Sequence, residues 1–299
     1  MIDRVLALAG PDADAGWRIN LFAFRLFMLL HAAGRTAISV IERTRNTPMD
    51  LAAIVHLYGM VLVLVAGCVP RYSLWATRAA ALLVLAQILV PGTAMSLPFT
   101  ANHLFLELIV LMFLALLNDR DDREAPLLLQ MLRWMTAVFF FYTGVQKLLY
   151  GRYFDGQLLG YYVASNERFQ AFFQYLLPAE EFARLQSVGG LAPGSGPYSV
   201  DSPLFLLISN SVYVFEMAVG VLLMVHRTRT LAAIGAILFV IMIELAAREL
   251  TFGMLMINLL LLFAAGRWNL FTLPAFALAY AWLVAAAAGF VPMFKYSPA

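Results

Sequence analysis

Residues 203–225, PLFLLISNSVYVFEMAVGVLLMV, carry one charged side chain, Glu216, in a run long enough to cross a bilayer. At a rise of 1.5 Å per residue, about 20 apolar residues span the ~30 Å hydrocarbon core as a helix. Runs of the same kind recur from one end of the chain to the other. The sequence is 63% hydrophobic and 13% charged, too little polar surface to cover a water-soluble globule of 299 residues. Reading the apolar runs against charged, Pro and Gly breaks predicts helices near 17–40, 52–70, 74–91, 102–117, 127–150, 203–225, 230–247, 250–265 and 270–291. The expected fold class is all-α, a polytopic transmembrane helical bundle of about nine spans. It forms a single membrane domain over residues 1–299 with no separate soluble domain.

The connections differ in kind. Residues 118–126 hold six charges in nine positions and read as a solvated turn. The longest connection, 151–202, mixes Phe169, Phe172, Phe173, Tyr175, Leu176 and Leu177 with Glu180, Glu181 and Arg184, a pattern suited to interfacial helices. From Gly189 to Pro203 it is rich in Gly, Pro and Ser and reads as irregular loop. With the N-terminus inside, Arg4, Arg18, Arg71, Arg78, Arg120, Arg123, Arg227, Arg229 and Arg267 fall on the inner side. Arg43, Arg45, Arg152, Arg168, Arg184, Arg248 and Lys295 then lie outside. The positive-inside rule favours this orientation, with 151–202 external and a bacterial inner membrane as the expected location. The apolar stretch from Val5 to Gly10 is too short for a signal-peptide core and is expected in the mature protein. Cys68 is the only cysteine, which excludes an intrachain disulfide and a CxxC redox pair, and no Lys/Arg block suggests nucleic acid.

Function is sought where ionisable groups interrupt apolar spans, because such groups are costly in lipid and face a cavity, a bundle interior or a partner. They are Arg25, His31 and Arg35, then His103 and Glu107, Arg133 and Lys147, Glu216, and Glu244 with Arg248 and Glu249. One reading pairs them across helices, Arg25 or Arg35 with Glu107, Glu216 or Glu244. The short turn at 118–126 makes the flanking helices an antiparallel hairpin, which places His103 and Lys147 toward the same membrane face. Glu107 follows His103 by four positions and shares its helix face. An amine, an imidazole and a carboxylate then converge near the long connection. On position alone Lys147 also reads as a snorkelling lysine and Asn102 as a helix cap. No third ligand accompanies His103 and Glu107, so no metal is expected.

The segment Phe139-Phe140-Phe141-Tyr142-Thr143-Gly144-Val145-Gln146-Lys147-Leu148, followed by Phe154-Asp155-Gly156, resembles the membrane domain of vitamin K-dependent gamma-carboxylases. That family has an aromatic run, a glycine and a lysine pair before an aromatic, acidic, glycine turn. Gln146 stands at the first lysine and Lys147 matches the second, which the family uses as its active-site amine. Asn102-His103 resembles the family's Asn-His pair, whose histidine assists that amine. Phe215-Glu216-Met217 and the run from Gly253 to Phe263 are similar to later family segments. The resemblance covers about Leu21 to Phe263, in the manner of the bacterial HTTM group. Two departures stand out: Glu244 sits where the family often has histidine, and the chain stops at Ala299 without the soluble domain of the animal enzymes.

The resemblance implies Lys147 and His103 as catalytic residues, with Asn102, Glu107, Gln146, Tyr142, Glu216, Glu244 and Arg25 around a substrate or quinone pocket. It implies a reduced quinone of the vitamin K hydroquinone or menaquinol type, with CO2 and O2 as cosubstrates, in a carboxylation coupled to quinone epoxidation. Expected partners are the lipid bilayer, the quinone, and a peptide or protein substrate or partner subunit. Two other classes remain open: a non-catalytic quinone-binding or redox-coupling subunit acting with a partner, and a small-molecule transporter.

Overall fold

The computed structural model describes Gly10 and residues 16–44, 51–89, 102–188 and 197–291. Among them there are twelve helices and no strand. In chain order they are α1 (Trp17–Thr44), α2 (Leu51–Gly67), α3 (Ser73–Leu89), α4 (Asn102–Leu116), α5 (Glu124–Tyr150), α6 (Gln157–Ser165), α7 (Glu167–Phe173), α8 (Ala179–Val188), α9 (Pro203–Met224), α10 (Arg229–Ala247), α11 (Leu250–Leu261) and α12 (Trp268–Ala287). Every expected apolar run contains one of these helices, and the all-α class holds among the described residues.

Five of these helices are long and apolar enough to cross a membrane: residues 17–42 of α1, and α5, α9, α10 and α12. The expected nine spans are therefore not met by length. α2 and α3 have 17 residues each, α4 has 15 and α11 only 12. At 1.5 Å per residue the last reaches about 18 Å, little more than half the hydrocarbon thickness. A run extends to the next break, whereas α2, α4 and α11 end earlier, at Gly67, Leu116 and Leu261.

The chain divides into two compact units. The first holds the described residues up to Arg133 and those from Met254 to 291; the second runs from Trp134 to Gly253. α5 and α11 each begin in one unit and end in the other.

In the first unit α1 is the central helix, packed along α12 and against α2 and α3, with α3 in turn against α4. Most of its residues are buried, and Ile19, Phe22, Leu26 and Leu30, which stay at least partly exposed, recur at three- and four-residue spacing as a narrow stripe on an otherwise enclosed helix. Gly34 leaves room for the Tyr280 ring of α12, since a Cβ there would lie 2.9 Å from Tyr280 Cγ. Polar clamps join the helices. Asn20 Nδ2 donates to the Leu261 carbonyl at 3.0 Å, and its Oδ1 accepts from the Asn269 amide at 2.7 Å. Arg133 Nε donates to the Leu262 carbonyl at 2.8 Å.

The charged turn at 118–126 is only partly solvated. Asp119 is 4% exposed and lies 3.3 Å from Arg25 Nε, while Arg25 Nη2 donates to the Leu117 carbonyl at 2.9 Å. Asp121 Oδ1 accepts from the backbone N–H groups of Arg123 and Glu124, which hold its carboxyl below the usual range and open α5.

The second unit contains the long connection. Its expected amphipathic stretch forms α6, α7 and α8, and these bury Val163, Ala164, Phe173, Leu177 and Leu185 with Tyr198, Val200, Phe205 and Ala246. The Tyr162, Phe169 and Phe173 rings stack in sequence. Arg184 on α8 donates to the Pro197 carbonyl at 2.7 Å and to the Ser199 carbonyl at 2.5 Å, tying the end of the loop to the helix. The expected loop at 189–203 lies outside the described residues as far as 196; residues 197–202 are turn and coil.

Candidate functional site

The site grows from the end of α5. This helix carries its aromatic run to Tyr142 and then changes character, with Thr143, Gly144, Gln146 and Lys147 in its last two turns. Gly144 lets α9 approach closely. A Cβ at 144 would lie 2.7 Å from the Tyr213 carbonyl oxygen, and one at Gly220 of α9 would lie 2.8 Å from the Ala137 carbonyl oxygen. Small residues at such a crossing allow helix backbones to touch in an apolar medium. Lys147 is three residues beyond Gly144, and Glu216 is four before Gly220, so the same crossing brings the two side chains together.

Lys147 Nζ donates to both carboxylate oxygens of Glu216, at 2.6 Å to Oε2. The Glu216 side chain is 6% exposed and that of Lys147 24%. The amine also lies 5.8 Å from the centre of the Tyr153 ring. Beyond the pair is a pocket of about 430 Å³ lined by Thr143, Gln146, Lys147, Tyr150, Arg152, Tyr153 and Leu158. Its size falls within the roughly 300 to 1,000 Å³ of small-molecule sites.

The pocket wall after α5 is set by backbone. Gly151 at φ 68° and Gly156 at φ 71° take left-handed conformations that a side chain would strain, and between them the chain turns from α5 into α6. Ser209 and Asn210 of α9 donate to the Tyr153 and Phe154 carbonyls at 2.7 and 3.2 Å, pinning the turn. Burial, and then the Glu216 carboxylate, push the Tyr153 hydroxyl well above the ordinary phenol range, so it stays a neutral donor.

The residues singled out from the sequence are distributed as follows. Lys147 and Gln146 line the pocket, and Glu216 is bound to Lys147. Tyr142, 57% exposed, is not among the lining residues. Glu244 belongs to the same unit, near the end of α10, where Gly253 makes space for its carboxyl; a Cβ at 253 would lie 2.6 Å from Glu244 Cγ. Arg25 is in the first unit with Asp119. Glu107 is there too, bound by Arg35 Nε at 2.5 Å, one of the cross-helix pairings considered from the sequence. Asn102 and His103 open α4, but their side chains lie outside the described residues, and with them the expected meeting of His103 and Lys147.

Sequence reasoning missed Thr143, Tyr150, Arg152, Tyr153 and Leu158 as pocket walls, and Asp119 as a buried partner. Tyr153 and Arg152 adjoin the Phe154-Asp155-Gly156 turn, which was the available signal. Asp119 had none, being one of several acids in a charged turn. Among the described residues no cluster of three or more His, Cys, Asp or Glu forms a metal site.

No family model, no curated protein and no solved structure matches this chain.

Proposed function

We propose that the chain is a multi-pass membrane protein whose Lys147–Glu216 pocket is a proton-transfer site for a reduced quinone, in a quinol-dependent carboxylation of the gamma-carboxylase type. The observation that carries this reading is the lysine and carboxylate bound to each other at the wall of a pocket. The donor set fits a quinol: Gln146, Tyr153 and Lys147 offer hydrogen bonds to ring oxygens, and Tyr150 and Leu158 offer apolar faces. The reduced quinone, with O2, supplies the strong base that removes a carbon-bound proton before CO2 is captured.

The chain's own part is to take the first proton. A lysine with an ordinary pKa of ~10.4 is charged at neutral pH and accepts nothing. Bound to Glu216, whose side chain is 6% exposed, the ammonium can pass a proton from Nζ to the carboxylate, because the ion pair loses part of its advantage over the neutral pair when the carboxylate is desolvated. The neutral Nζ then accepts a phenolic proton from the pocket. Tyr153 stays protonated and orients the ring oxygen. His103, the imidazole partner that the resemblance implies, belongs to this proposal.

The finer topology belongs here too. In it α2, α3, α4 and α11 cross as the shorter members of a nine-helix pattern. The membrane is the bacterial inner membrane, the N-terminus is cytoplasmic and the 151–202 connection external. A cysteine introduced at Ser195 is then labelled by reagents added outside; labelling only from the cytoplasmic side overturns the orientation.

Lys147→Ala alone leaves Glu216 without its partner, so the informative variant is Lys147→Ala with Glu216→Gln. That double variant is expected to fold and bind quinone while losing turnover. Normal turnover in it would remove the assignment.

A further inference from the structure

We propose that the first unit holds a second proton-handling site, a buried relay from the phenol of Tyr280 through the imidazole of His31 to the carboxylate of Glu107. Its three members come from α12, α1 and α4. His31 Nδ1 lies 2.5 Å from the Tyr280 hydroxyl, and His31 Nε2 lies 3.4 Å from Glu107 Oε2. The rings of His31 and Tyr280 meet edge-on with their centres 5.8 Å apart. Tyr280 and His31 are each 2% exposed and Glu107 1%.

The far end of the chain is held in place. Arg35, one turn along α1 from His31, reaches Glu107 with Nε at 2.5 Å to Oε2 and with Nη2 at 3.2 Å to Oε1. The same nitrogen lies 3.5 Å from Gln87 Oε1 on α3, and Gln87 Nε2 donates to Thr36 Oγ1 at 2.9 Å. Arg35 is a positioning residue: it fixes the carboxylate and balances its charge. The space Gly34 leaves for the Tyr280 ring sets the phenol at the other end.

The order of groups determines the chemistry. A phenol that donates to Nδ1 requires the imidazole proton on Nε2, where it faces Glu107. A transfer breaks the Tyr280 O–H bond and forms His31 Nδ1–H, while His31 Nε2–H breaks and Glu107 Oε2–H forms. The imidazole ends neutral in its other tautomer, and the negative charge moves from carboxylate to phenolate with Arg35 still present. The reverse shift restores the start, so the balance needs no oxidant or added proton. Glu107 lies one helical turn after His103 on α4, which places the acidic end of the relay next to that position in the helix.

A purely structural role accounts for less of this arrangement. Packed apolar residues of similar volume hold helices at least as well as a buried ion pair, and a buried network is costly unless its members are satisfied. A static clamp also makes a different prediction from a relay, because it keeps its protons.

The test is hydrogen exchange of the full-length protein in lipid nanodiscs moved into D2O, followed by infrared spectroscopy. Subtracting the spectrum of Tyr280→Phe isolates the Tyr280 hydroxyl. A relay hands any deuteron that reaches Glu107 on to this buried hydroxyl, which then deuterates much faster than the backbone amides around it, and Glu107→Gln slows that exchange by roughly tenfold or more. Protection equal to that of the amides of α1 and α12 in the parent protein would overturn the proposal. So would equal rates in the parent and in Glu107→Gln, since the exchange would then come from local opening. If Glu107→Gln fails to fold because the Arg35 charge is left buried, His31→Gln interrupts the relay with the ion pair intact and is read in the same way.

Discussion

Lys147 and Glu216 are worth more as a pair than their separate burial suggests. Removing one member of a buried ion pair costs about 3 to 5 kcal/mol, because the other keeps its desolvation cost without its partner. Replacing both with neutral groups avoids most of that loss. Lys147→Ala is therefore expected to lower the melting temperature in detergent clearly, and adding Glu216→Gln to recover most of it. If the double variant melts no higher than Lys147→Ala, the two side chains are not coupled. Arg25 and Asp119 follow the same rule in the first unit, with side chains 0% and 1% exposed. Asp119→Asn leaves a buried guanidinium short of its counter-charge and should destabilise by a similar amount, whereas Asp122→Asn, at a side chain 88% exposed, should change little. Thermal unfolding of the two variants side by side checks this.

At the scale of helices, the crossing of α5 and α9 positions the site. Gly144→Ala and Gly220→Ala each drive a Cβ into the facing backbone, and such overpacking costs about 1 to 3 kcal/mol. Because Lys147 and Glu216 flank that crossing, either variant should also weaken turnover without touching the pocket chemistry. Unchanged stability in both would mean that the helices do not meet there. The existence of the helices was legible in the sequence, since Pro70, the charges of 118–126 and Pro203 bound apolar runs. Their pairing was less so. A helix apolar on every side has no periodic pattern to show which face is buried. Glu216 and Lys147 are 69 positions apart; the resemblance implied Glu216 near the pocket, but the residues alone left it one of several carboxylates able to pair with a cation in an apolar span. Five of the nine expected spans reach full length, because run length sets only an upper limit on helix length: α11 ends at Leu261 although the apolar run goes on to Ala265. Tyr280 gave no signal, being one tyrosine in an apolar helix, and its role depends on a glycine 246 positions away.

At the scale of the molecule, each unit buries charges of its own among the described residues. The first unit spends Arg25, Asp119, Arg35, Glu107 and His31 on interior networks among the described residues, and the second places Lys147 and Glu216 beside a pocket. Helices that expose Leu, Val and Phe as broadly as α9, α10 and α12 do suit lipid. The central claim is that the Lys147–Glu216 pocket moves a proton from a reduced quinone. The most direct measurement incubates the purified protein with reduced naphthoquinone, O2 and bicarbonate and looks for quinone epoxide by mass spectrometry, beside the Lys147→Ala/Glu216→Gln variant. Epoxide from the parent protein alone is the predicted result. No epoxide from a folded parent protein that binds the quinone, or equal epoxide from both proteins, would contradict it.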